Sequence, residues 1–269
     1  NRSGKSDPHL IIAHETEGSK HWNHYTKSLR LSAKVREMRF PDPLIPGSLI
    51  RRYKRFLADV ELDTGETVTA HCANPGSMMG LTEPGSEVWV SPARNPERKL
   101  RYSWEMIRIG DWLVGVHTGH PNRIVEEAIH AERIEELAGY KEIRREVRYG
   151  QNSRIDLLLE NKGRSPCYVE IKSVTLRRNG RAEFPDAVTA RGTKHLGELS
   201  NVVACGSRAV MLYLVQREDC STFSVAVDID PAYASALVTA RAAGVEVLCR
   251  SCQLTTDAIE LDHALPLDL

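Results

Sequence analysis

With 269 residues, 41% of them hydrophobic, the chain is long enough for two modest domains with real cores. Its 36 basic and 36 acidic residues cancel, which excludes a protein that coats nucleic acid through bulk charge and makes any such contact local. No apolar run approaches the ~18–20 residues that span a bilayer and the first residues lack a secretory apolar stretch, so the chain reads as cytoplasmic, with no membrane partner. Residues 1–37 carry 7 basic and 4 acidic side chains, 38–119 carry 10 and 10, and 120–269 carry 19 and 22, so neither body segment is basic. Six cysteines at irregular spacing in a chain of this size read as reduced thiols. Only Cys249-Arg250-Ser251-Cys252 has zinc-ligand spacing, and it is one pair without a second.

Residues 1–37 hold four of the ten histidines and no sustained apolar period, and are expected to be a poorly ordered extension. Met38 is a candidate natural start, with the upstream residues translated or appended. From Ser48 to about Gly119 the signals are strands. Arg52 to Leu62 reads as one strand, turned at Asp63-Thr64-Gly65-Glu66 into Thr67 to Cys72. Glu87 to Ser91, Leu100 to Ile109 and Trp112 to Val116 follow, the last two joined at Gly110-Asp111. Five short strands in about seventy residues predict a small closed barrel, of which the OB-fold is a common form.

After His120-Pro121-Asn122 the period changes. Ile124, Ala128, Ala131, Ile134 and Ala138 recur at helical spacing, with Glu126 and Glu127 in the first turn and Gly139 as the stop. Strands near 142–149, 153–160 and 167–176, a helix near 188–204, strands at 209–215 and 223–228, a helix from Pro231 to near Gly244 and a strand at 245–249 complete an α/β order, a mixed sheet with helices on its faces.

The clearest chemistry lies in the hairpin of 153–160 and 167–172. Side chains alternate along a strand, which sets Ile155, Leu157 and Leu159 on one face and Asp156 on the other, with Glu170 and Lys172 together about 7 Å apart. Asp156, Glu170 and Lys172 form the pattern of a divalent-metal phosphodiesterase site. Hard oxygen ligands hold Mg²⁺ or Mn²⁺, and Asp156, Glu170 and the backbone carbonyl of Ile171 are the expected ligands. Lys172 is placed to orient water or neutralise developing charge. The competing reading is a salt bridge on a solvated sheet face. On a helical wheel Glu127 falls inside the apolar arc, where an acid wants a partner or a metal, so it is a further candidate ligand; Glu135 lies on the same arc, and either acid can instead reach solvent.

Two segments interleave cations with rings. Arg51, Arg52, Lys54 and Arg55 flank Tyr53 and Phe56, and Arg98, Lys99 and Arg101 precede Tyr102. Cations suit phosphates and rings suit bases, so the barrel is expected to contact DNA, single-stranded or double-stranded. Alternating Arg and apolar residues also fit any half-buried strand. Downstream, Arg191, Lys194 and Glu198 share one helical stripe beside Leu196, Leu199 and Val203. Arg191 and Lys194 either reach phosphates beside the acid site or belong to an ordinary i,i+4 pair.

Several of these strings, in order, resemble the sugar fermentation stimulation protein A family. They are Arg52 to Val60, His71-Cys72-Ala73-Asn74-Pro75-Gly76-Ser77-Met78, Arg145-Glu146-Val147 with Tyr149-Gly150, Ser153 to Asp156, Tyr168 to Lys172, and Phe184 to Thr189 with Arg191-Gly192. The resemblance covers Met38 to the C-terminus. It implies an N-terminal OB-like barrel at 38–119 and, at 120–269, an α/β domain of the restriction-endonuclease-like PD-(D/E)xK fold. Asp156, Glu170 and Lys172 then match that fold's active-site pattern, and Glu127 stands where its first helix often contributes an acid. The family is described as DNA-binding, with a proposed regulatory role in sugar (maltose) metabolism. The chain departs from its usual pattern at Ala73-Asn74-Pro75, where Pro-Asn-Thr is common, and at Thr193, where Gln is common. Three readings stay open: a Mg²⁺- or Mn²⁺-dependent DNA nuclease, a catalytically silent DNA-binding regulator, and a nucleotide- or RNA-processing enzyme on the same fold. A homodimer is the assembly considered for each.

Overall fold

The structure, a computed structural model, describes residues 38–269. The expected extension at 1–37 lies outside the described residues. The first part of the chain gives β1 (Met38–Arg39), β2 (Ile45–Tyr53), β3 (Leu57–Leu62), β4 (Thr67–His71), β5 (Glu87–Pro92), β6 (Tyr102–Ile109) and β7 (Trp112–Gly115). Strands β2 to β7 form a sheet in the order β4-β3-β2-β5-β6-β7, and a parallel β4–β6 pairing closes it into the expected OB barrel. Leu49, Val60, Val68, Val88, Val90, Trp104 and Ile107 fill the interior, with a register shift in the β5–β6 ladder between Trp89 and Val90. Gly47 is required where β2 crosses β3: a Cβ there would stand 2.5 Å from the Glu61 carbonyl.

The expected single strand Arg52 to Leu62 is two strands with a tight turn between them. Lys54 and Arg55 take left-handed φ values of 48° and 65°, and the Arg52 guanidinium holds the turn by donating to the Arg55 carbonyl at 2.9 Å. No glycine or proline marks the turn, so the alternation runs through it unbroken. Met38–Arg39, expected with the barrel, instead pair antiparallel with a strand near the C-terminus.

The second part gives α1 (Pro121–His130), β8 (Glu142–Tyr149), β9 (Ser153–Asn161), β10 (Arg164–Val174), β11 (Leu176–Arg178), β12 (Arg181–Phe184), α2 (Ala190–Ala204), β13 (Arg208–Val215), β14 (Thr222–Val225), α3 (Pro231–Ala242), β15 (Glu246–Leu254), β16 (Ala258–Ala264) and β17 (Leu267–Asp268). Seven strands form a mixed sheet in the order β1-β16-β15-β13-β10-β9-β8, parallel at its β10-β13-β15 centre. Helix α1 covers one face through Ile124, Val125, Ala128 and Ile129. Helices α2 and α3 cover the other through Leu196, Leu199, Tyr233 and Leu237. Strand β13 feeds both cores in strict alternation, with Met211 and Tyr213 on one side and Val210 and Leu212 on the other.

Helix α1 is shorter than the periodicity predicts. It ends at His130, and Glu132 turns the chain with φ 54°. Ile134 and Leu137 are still buried, but from a 3-10 turn at Glu135–Leu137, which reproduces the helical spacing without the helix. Because the helix begins at Pro121, Glu126 and Glu127 fall past its first turn. Cys249 and Cys252 sit on opposite faces of β15, one in each core, which rules out a shared zinc. Among the described residues no helix is long and apolar enough to cross a membrane.

Candidate active site at the parting of β9 and β10

Strands β9 and β10 are paired from Asn161↔Arg164 to Leu157↔Val169, and there the pairing ends. Strand β10 runs on against β13, leaving the Ile171 N–H facing a gap. Asp156 fills it: one carboxylate oxygen accepts the Ile171 N–H at 2.7 Å and the other accepts the Asn122 side-chain amide at 2.9 Å. The alternation expected along β9 fails at this residue. Ile155 packs with the α2/α3 core while Leu157 and Leu159 pack with the α1 core, and the β8–β9 ladder skips the Glu146/Asp156 pair, Glu146 having φ 52°.

Glu170 is 2% exposed, so it is no part of a solvated face. Lys172 Nζ donates to its Oε1 at 2.7 Å, and His195 from α2 makes a short bond to the same oxygen. The Arg191 Nε–H donates to His195 Nε2 at 3.3 Å, which leaves the imidazole proton on Nδ1, directed at Glu170. Glu170 Oε2 is buried without a partner. Glu198 is also buried on α2; its Oε1 accepts the Gln151 N–H at 3.1 Å with Lys194 3.6 Å away, and its Oε2 has no partner. The buried Tyr149 hydroxyl is unpartnered as well.

Burial, reinforced by the Glu170 charge, pushes the Asp156 carboxyl up to about 6, against the pull of the Ile171 N–H and Asn122. Burial acts the same way on Glu170, but the His195 bond and the Lys172 charge outweigh it and hold that carboxyl below its ordinary value. Tyr149 is pushed well above the usual phenol range by burial and then by the charges of Glu170, Glu198 and Asp156. A half-buried carboxylate beside a buried one with an orphaned oxygen is a donor set that a hard divalent cation satisfies.

The structure brings Asp156, Glu170 and Lys172 together and does not bring Glu127 to them. Arg123, one turn earlier on α1, takes Glu127 Oε1 at 2.7 Å. Among the described residues, Glu127, Asp156 and Glu170 do not form a set whose ligand atoms all lie within 4.8 Å of one another. The α1 residue that reaches the site is Asn122. His195 was also missed; its signal was a histidine one turn after Arg191, next to the apolar Leu196–Leu199 face.

The basic residues divide. Arg191, at His195, and Lys194, whose Nζ donates to the Gln151 carbonyl at 2.7 Å, adjoin the acid site. On the barrel, Lys54, Arg55 and Lys99 are exposed. Arg51 is exposed but paired with Asp59 at 2.9 Å, Arg101 donates to the Pro96 carbonyl at 2.7 Å and Arg98 donates to Ser103 at 2.9 Å. Arg52 is a correction: its guanidinium donates to the Asn74 and Gly76 carbonyls at 3.0 and 2.9 Å as well as to Arg55, so it braces the 74–78 loop instead of facing phosphate.

Comparison with known proteins agrees with this architecture. The family described as the sugar fermentation stimulation protein RE domain matches residues 119–258, and the SfsA N-terminal OB domain matches residues 50–116. A sugar fermentation stimulation protein homolog of Paramagnetospirillum magneticum is 60% identical over 232 residues, covering 86% of this chain and 98% of the relative. The homolog of Rhodospirillum centenum is 60% identical over 231 residues, 86% of this chain and 99% of the relative. The solved structure of Pyrococcus furiosus SfsA in complex with Ca²⁺ superposes with a TM-score of 0.79 at 28% identity, covering 87% of this chain and 100% of that one. With an OB barrel followed by a restriction-endonuclease-like α/β domain, and relatives matched along their full length, the chain belongs to the sugar fermentation stimulation protein family.

Proposed function

We propose that the chain is a divalent-metal-dependent DNA phosphodiesterase acting in the cytoplasm, with its site at Asp156, Glu170 and Lys172. The observation that carries this reading is the pair of carboxylates at the parting of β9 and β10, Glu170 buried with an unpartnered oxygen and bonded to Lys172, and Asp156 half-buried within reach of the charges of both. A protein that only binds DNA has no use for two like charges held together out of water. Asp156, Glu170 and the Ile171 carbonyl would hold Mg²⁺ or Mn²⁺; a cation there supplies Lewis-acid stabilisation to the scissile phosphate. Lys172 orients the attacking water or offsets charge on the phosphate oxygens. Arg191 and Lys194 steady the flanking phosphate, while Arg51, Lys54, Arg55, Arg98, Lys99 and Arg101 track the strand across the barrel. A hard cation bound to the Pyrococcus furiosus relative supports a divalent site here.

End-labelled single- and double-stranded DNA incubated with Mg²⁺ or Mn²⁺ tests the reading, with sedimentation reporting whether the active species is a homodimer. Metal-dependent cleavage, abolished by a chelator, is expected. Salt-sensitive binding without cleavage under either metal would leave the catalytically silent DNA-binding regulator of sugar metabolism.

A further inference from the structure

Where β7 leaves the barrel and the chain enters α1, two histidines meet a buried acid. Glu105 on β6 is 4% exposed. One of its oxygens accepts the Ser91 hydroxyl at 2.6 Å, and the other lies 2.7 Å from His120 Nε2. The His117 ring stacks on that of His120, centroids 4.4 Å apart and planes 23° apart. One ligand-type atom from each of Glu105, His117 and His120 lies within 4.8 Å of the other two, the only such set among the described residues. A hydrogen-bonded His–Glu pair needs one imidazole; here a second converges on the same carboxylate. His71, from β4, lies near enough for its charge to act on His117, and its buried Nδ1 has no hydrogen-bond partner. The linker itself is pinned, with the Thr118 hydroxyl donating to the Ala73 carbonyl at 2.8 Å and the Val116 N–H to the Glu105 carbonyl at 2.9 Å.

We propose that Glu105, His117 and His120 bind one first-row transition-metal dication, of which Zn²⁺ is the probe, at the junction of the barrel and the α/β domain. Two imidazole nitrogens and one carboxylate oxygen suit Zn²⁺ or Co²⁺, whereas the all-oxygen set at Asp156 and Glu170 suits Mg²⁺. Ser91 fixes the carboxylate in the manner of an outer-shell partner. Loading exchanges two existing bonds: His120 gives up its bond to Glu105, and His117 gives up the Gly119 N–H that its Nδ1 accepts at 3.1 Å, since one ring nitrogen takes the metal and the other the proton. The site ties β6 to the start of α1 two residues before Asn122, which holds Asp156. It therefore braces the helix end that positions the acid site, and it stands whether or not that site cuts DNA.

The full chain, chelator-stripped and untagged, is equilibrated with Zn²⁺ in a large excess of Mg²⁺, and bound zinc is counted per chain. His117→Gln/His120→Gln and Glu105→Gln are compared with it, and Asp156→Ala is the control for the other site; the four histidines of residues 1–37 contribute equally to all. Native chain and Asp156→Ala are expected to hold one more zinc than the double variant, with affinity lowered at least about tenfold in Glu105→Gln, and Zn²⁺ raises the Tm of the native chain. Equal zinc counts in native chain and folded double variant overturn the site. Should that variant fail to fold, a native Tm unmoved by Zn²⁺ overturns it as well.

Discussion

Asp156 is held by two neutral donors, whereas Glu170 takes the Lys172 ammonium and the His195 ring N–H, and this unequal sharing sets the pH behaviour of the site. Without metal, a carboxyl raised from 3.8 to about 6 keeps its proton more tightly in the folded than in the unfolded chain. Its contribution to stability is therefore fully present below pH 3.8 and is lost as pH rises through about 6. Denaturant melts of metal-free native chain and Asp156→Ala should show the native chain losing on the order of 3 kcal/mol relative to the variant across that window. Mg²⁺ needs the deprotonated carboxylate, so its affinity should fall as pH drops below about 6. His195 acts through Glu170 and is a positioning residue: His195→Ala should lower cleavage about 10–100-fold with the fold intact by circular dichroism, and His195→Asn should recover part of it. Glu170 and Lys172 were legible from strand alternation, and Asp156 from the turn that brings its strand beside theirs, although the alternation itself breaks at Asp156. Asn122 and His195 were not, because their contacts are made by helices arriving from 34 and 25 residues away.

At the scale of elements, the basic run of β2 and β3 separates into two roles that sequence composition cannot distinguish. Lys54 and Arg55 project from a tight turn, whereas Arg52 reaches back to four carbonyls. Each of Lys54→Ala and Arg55→Ala should flatten the slope of log K against log salt for DNA binding by about 0.7–0.9. Arg52→Ala should leave that slope unchanged and destabilise the chain by about 1–3 kcal/mol, measured by denaturant melts, because the part-buried Asn74 and Gly76 carbonyls lose their donor. The strands of the barrel and the parallel centre of the sheet were legible from their alternation and glycine turns. The turn at Lys54-Arg55 and the end of α1 were not: each uses left-handed residues without glycine, and apolar spacing continues across both.

Besides the His120–Glu105 contact, several contacts among the described residues join the first part of the chain to the second. Strand β1 pairs with β16, the Gly115 N–H donates to the Gln216 carbonyl at 2.9 Å, and Asp186 accepts the Met78 N–H at 3.0 Å. Gly76 permits the last contact, since a Cβ there would stand 2.4 Å from an Asp186 oxygen. Gly76→Ala should break it, lowering stability by about 1–3 kcal/mol in denaturant melts. Segments this far apart in sequence could be ordered by resemblance to the family, but their docking rests on tertiary contacts that no local pattern encodes. The most direct test is the cleavage of end-labelled DNA in Mn²⁺ by the native chain beside Asp156→Ala and Lys172→Ala, all shown to fold and bind DNA. Loss of at least about 100-fold in both variants is predicted; cleavage that survives both substitutions would contradict the assignment of the site.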